Sequence, residues 1–152
     1  MLISPYLQLM PSGFSVPLSN PRSVVEAFVD AWTRMDFHAV MGCLAPDIYY
    51  HNIPLTPIAG KTAVESYLRE AWTFSACEWK LLSIAVNGNQ VLTERIDAFT
   101  INSRSVVLPV MGVFEVRDSQ ITQWRDYFDL ASYRAQLERA AEGTSHGDKE
   151  NK

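Results

Sequence analysis

A chain of 152 residues fits one domain and can bury a core without disulfides. Its 13 Lys+Arg against 17 Asp+Glu leave a net charge of −4, which excludes the basic footprint of a nucleic-acid binder and suits an uncharged partner. At 47% hydrophobic and 20% charged residues the composition reads as soluble and globular, and no run approaches the ~20 apolar residues of a membrane span.

The first 20 residues read as an extension. They lack a basic start, and Pro5, Pro11 and Pro17 interrupt any apolar helix, so a secretory signal is not expected. Pro21 to Met35 reads as a helix, with Asn20 as its cap and Val24, Val25, Phe28, Val29 and Trp32 on one stripe. A short second helix runs from Phe37 to Leu44 and stops before Pro46. Ile48 to Ile53 is extended, Pro54 and Pro57 mark a loop, and Lys61 to Trp72 is a third helix behind Gly60.

The period then changes. Glu78–Val86, Gln90–Thr100, Ser105–Val116 and Gln120–Phe128 read as strands. Asn87-Gly88-Asn89, Asn102-Ser103 and Asp118-Ser119 separate them, and links this short favour antiparallel neighbours. Ala131 to Ala141 is a closing helix, and the tail to Lys152 reads as polar and disordered. The expected organisation is an extension at 1–20, one domain over 21–141 and a tail at 142–152. Helices followed by a meander imply α+β: a curved, mixed or antiparallel sheet wrapped around N-terminal helices, with a cavity between.

Residues two apart on a strand share a face. Arg95, Asp97 and Phe99 therefore project together, as do Trp124, Asp126 and Phe128, and as do Val106, Leu108, Val110, Gly112 and Phe114. All three sets can line the concave side, giving an apolar chamber that holds two carboxylates and a guanidinium. Isolated buried charges are costly, so Arg95 is expected to bridge Asp97 and Asp126 by forked hydrogen bonds. Two carboxylates at one cation titrate as a coupled pair, so one can serve as acid and the other as base. A register-fixing network without catalysis would use the same residues. Tyr50 and Asn52 tip the balance, because they project together from an extended run and can hold a water beside Asp126.

Three stretches, YHNIPL (Tyr50 to Leu55), TERIDAF (Thr93 to Phe99) and WRDYFDL (Trp124 to Leu130), occur in order at compatible spacing. With GVF at Gly112 to Phe114 and the helix from Gly60 to Leu68, they make the chain resemble the limonene-1,2-epoxide hydrolases from about Val24 to Tyr133. The resemblance implies a cone of the nuclear transport factor 2-like type, a homodimer, and one-step addition of water to a small apolar epoxide without a cofactor. By motif, Asp126 would be the base, Asp97 the acid, Arg95 the bridge, and Tyr50 and Asn52 the water's holders. The family's pocket would fall at Val29, Trp32, Leu68, Ala71, Ser75, Phe99, Leu108, Val110 and Phe128, and Trp124 shares that face. Trp32, Ala71 and Ser75 depart from the bulky aliphatic residues of the family.

Other signals are weaker. His51 alternates away from Tyr50 and Asn52, and His38 and His146 lie apart, so no metal set forms. Cys43 and Cys77 lack metal or CxxC spacing and read as buried thiols of a cytoplasmic protein. Asp129 and Glu94 point out of the chamber, whereas Trp72, Phe74 and Trp79 read as core and pocket wall. The rival readings are an isomerase or cyclase on the same cone, or a small-molecule binding module. An isomerase would not need an arginine between two carboxylates, and a binder would not need a water-activating set.

Overall fold

The computed structural model describes residues 20–142. The expected extension and tail, with His146, lie outside these residues except for Asn20 and Glu142 at their borders. Four helices, α1 (Pro21–Thr33), α2 (Phe37–Gly42), α3 (Lys61–Ala71) and α4 (Leu130–Glu142), accompany six strands. These are β1 (Leu44–Asn52), β2 (Ile58–Ala59), β3 (Ala76–Asn87), β4 (Gln90–Ile101), β5 (Arg104–Arg117) and β6 (Gln120–Tyr127). They form one sheet in the order β2-β1-β6-β5-β4-β3, antiparallel except for the β1–β6 pair. The α+β architecture expected from the sequence is the one observed.

Local chemistry accounts for most boundaries. Asn20 caps α1 by accepting from the Arg22 amide at 3.0 Å, with Pro21 in the first turn. The β4–β5 and β5–β6 turns place Asn102, Ser103, Asp118 and Ser119 at φ of 50° to 66°, the paired left-handed geometry that suits two-residue hairpins. Asp129 accepts from the amides of Ala131 and Ser132 and so starts α4.

The structure departs from the expected elements at two places in the first half. The second helix ends at Gly42 rather than Leu44, and Leu44 opens a strand that contains Pro46. The β1–β6 register is irregular between Leu44 and Tyr49, and such a bulge accommodates a proline that cannot donate to the ladder. The loop expected around Pro54 and Pro57 ends in β2, which pairs with Tyr49 and Tyr50.

The core lies between α1 and the concave face of the sheet. Phe28 is fully buried and meets Trp32, Trp79, Phe114 and Trp124 edge-on, with ring centroids 5.0 to 6.3 Å apart. On β5 the burial alternates as expected, with Val106, Leu108, Val110, Gly112 and Phe114 inward. Below Met111, β5 has no β6 partner, and α4 covers this stretch. Gln136 accepts from the Val107 amide and donates to its carbonyl at 2.8 and 2.9 Å, replacing two ladder bonds, while Asn102 donates to the Ala140 carbonyl. Among the described residues no helix is long and apolar enough to cross a membrane.

Candidate active site

A cavity of about 250 Å³ opens between the sheet and α1, α3 and α4. That is close to the lower end of ligand pockets, about 300 Å³. Asp97 and Asp126 line it, as do Tyr50 and Asn52. Arg95 stands behind this wall with 0% of its surface exposed, so it reaches a ligand only through the carboxylates.

The guanidinium is held on all sides. Arg95 Nε donates to Asp97 Oδ1 at 2.8 Å and Oδ2 at 3.1 Å, and Nη2 donates to Asp126 Oδ2 at 2.6 Å. Nη1 donates to Thr93 Oγ1 at 3.2 Å, and the Trp79 ring lies 4.5 Å from Cζ. Trp124 Nε1 is a second donor to Asp126 Oδ2, at 2.8 Å. Asp126 Oδ1 is buried and accepts no hydrogen bond from any described residue. Gly112 makes room for this cluster, since a Cβ there would overlap Arg95 Nη1 and crowd Thr93 Oγ1.

Charge balance sets the protonation. Arg95 with two ionised carboxylates would bury a net negative charge, which costs several kcal/mol. One proton on the pair makes the set neutral. For Asp97, burial, opposed by Arg95 and reinforced by Asp126, raises the pKa from 3.8 to about 7. For Arg95, burial disfavours the charge, but Asp126 and Asp97 more than offset this and push it above its ordinary value. Burial and then Asp126 raise Tyr50 well above the usual phenol range, so it remains a neutral hydroxyl. Asn52 Nδ2 donates to the Tyr50 hydroxyl at 2.6 Å, and the Tyr50 ring lies against Trp124 with centroids 4.1 Å apart.

Of the expected pocket residues, Trp32, Leu68, Ala71, Phe99, Leu108, Val110, Trp124 and Phe128 line the cavity. Val29 does not. It belongs to the core cluster, and Trp32, nearly one turn further along the same stripe, supplies the wall instead. Ser75 does not either. It precedes β3, is exposed, and its amide and hydroxyl both bond the Thr100 carbonyl. Phe74 and Trp79 are wall residues as read, whereas Trp72 packs in the core region. Leu55, Tyr67, Thr73, Ile101, Tyr133 and Leu137 also line the cavity and escaped the sequence reading. Thr93, which accepts from Arg95 without lining the cavity, shares the inward face of Arg95 and Asp97 by simple alternation. His51 points elsewhere, its Nε2 3.0 Å from the Leu55 carbonyl.

Comparison with known proteins identifies the family. The model of the limonene-1,2-epoxide hydrolase catalytic domain matches residues 19–139. The chain belongs to this family. Epoxide hydrolase EphG of Mycobacterium tuberculosis is 42% identical over 106 residues, which are 70% of this chain and 71% of EphG. The solved structure of an M. tuberculosis LEH-like epoxide hydrolase superposes with a TM-score of 0.70 at 37% identity, covering 82% of this chain and 93% of the other. An NTF2-like protein of unknown function from Burkholderia pseudomallei reaches the same TM-score at 21% identity, over 78% of this chain and 98% of its own. That last likeness shows the cone fold alone. Family membership makes this protein an enzyme, an epoxide hydrolase.

Proposed function

We propose that the enzyme adds water to small, largely apolar, cyclic epoxides in one step, giving vicinal diols, and that residues 21–141 carry this activity. The observation that supports it best is the Arg95 bridge between two cavity-lining carboxylates. A water accepts a hydrogen bond from Tyr50 and donates to Asn52 and Asp126, which leaves a lone pair for the epoxide carbon. As the C–O bond forms, Asp126 takes the water's proton. As the ring C–O bond breaks, Asp97 gives its proton to the leaving oxygen. Arg95 keeps both carboxyls in place, and a proton must return from Asp126 to Asp97 before the next turnover. Each of these roles is filled by a side chain, without a cofactor.

An isomerase or cyclase moves protons on carbon, and a binder moves none; the bridged pair favours hydrolysis over both. Purified protein should convert a panel of cyclic and acyclic epoxides to diols by chromatography, with small rings best. Failure across the panel would remove the proposal. Enlarging Ala71 should exclude bulky rings, because a methylene in such a wall changes discrimination by about 1–3 kcal/mol.

The pH profile follows from Asp97. Its pKa is raised, so the proton it must donate is present below about 7 and lost as pH rises through that value. The kcat/KM should therefore fall on the alkaline side with a midpoint near 7. A flat profile from pH 6 to 9 would contradict the acid assignment. We also propose a homodimer, supported by the exposed Val107, Met111 and Tyr127 on the outward face of β5 and β6. Sedimentation at the monomer mass would refute it.

A further inference from the structure

The cavity wall carries hydroxyls that the hydrolysis above does not use. Tyr67 on α3 and Tyr133 on α4 both line it, among side chains that are mostly apolar. Neither phenol has a hydrogen-bond partner among the described residues. The Tyr67 ring lies 5.8 Å from that of Tyr50, and the Tyr133 ring 5.9 Å from that of Phe128, two residues beyond Asp126. Both are half-buried. Burial is the main cause that raises the Tyr133 pKa, and Tyr67 adds to it. Tyr67 also raises Tyr50.

Phenylalanine would fill the same wall, so a cavity-lining hydroxyl with no protein partner keeps hydrogen-bonding capacity for a ligand. Two such hydroxyls on one cavity wall offer donors to a substrate oxygen. We propose that Tyr67 and Tyr133 are specificity-determining residues that hold a second substrate oxygen, so the preferred substrates are epoxides bearing a hydroxyl or carbonyl remote from the ring oxygen. This rests on the epoxide hydrolysis proposed above and narrows its substrate class. It assigns the two tyrosines no part in bond making.

The test compares matched pairs: a monocyclic hydrocarbon epoxide, and the same ring with a hydroxyl or ketone at increasing distance from the epoxide. The wild-type enzyme should favour one or more oxygenated members by roughly 3- to 10-fold in kcat/KM, the range of one neutral hydrogen bond. Tyr67→Phe, Tyr133→Phe and the double variant should bring that ratio towards one, mainly through KM. A wild-type ratio near one for every pair would overturn the proposal. So would a ratio unchanged in the double variant, or equal losses on both members of a pair. If no hydrocarbon or oxygenated epoxide gives a diol, epoxide hydrolysis itself fails, and that result is distinct from turnover without preference.

Discussion

Asp97→Asn and Asp126→Asn should each lower diol formation by roughly 10²- to 10⁴-fold, the usual worth of one positioned proton-transfer group. Both variants should stay folded. Removing either carboxylate leaves Arg95 with one counter-charge, a neutral buried pair, and the amide keeps the side-chain volume and one acceptor oxygen. Removing both should not be tolerated. An uncompensated guanidinium at 0% exposure is a loss of about 3–5 kcal/mol, visible as a lower melting temperature. Either single variant retaining near-wild-type turnover would remove its residue from the proton-transfer scheme.

The second large effect concerns the bridge. Arg95 contacts Asp97 through Nε, Asp126 through Nη2 and Thr93 through Nη1 at once, and its plane lies over Trp79. Lysine has one shorter, point-like head and cannot span these partners. Arg95→Lys should therefore lower kcat by about 10²-fold, the cost of displacing reacting groups by about 1 Å. Gly112→Ala gives an independent test that keeps every charge. Its backbone is ordinary, so the overlap with Arg95 Nη1 and Thr93 Oγ1 is what acts, and it should shift the guanidinium and lower kcat in the same direction. Full activity in both variants would mean that the bridge does not position the carboxylates.

Alternation along strands made much of the site legible. Arg95, Asp97, Phe99, Trp124 and Asp126 follow directly from period two, because β4, β5 and β6 are regular where they carry these residues. That rule did not place Ser75, which came from the family's pocket; the chain there has not yet entered β3, and the side chain turns to a backbone carbonyl. It also gave no warning of Pro46, because a bulge was needed to admit it. Tyr133 and Leu137 were illegible for another reason. Their place in the cavity depends on α4 docking along the unpaired part of β5, through Gln136 and Asn102, and neither contact has a local sequence signature. Thr93 is legible by the same alternation. A hydroxyl two residues before a buried arginine is in reach of its guanidinium.

Direct attack by water is the centre of this account, and one turnover in ¹⁸O-labelled water tests it. With enzyme in excess over epoxide, the first diol formed should carry one labelled oxygen, and the Asp126 peptide should remain unlabelled by mass spectrometry. A first diol without label, with the label appearing instead in the Asp126 carboxylate, would mean that the carboxylate attacks carbon through an ester, and would contradict it.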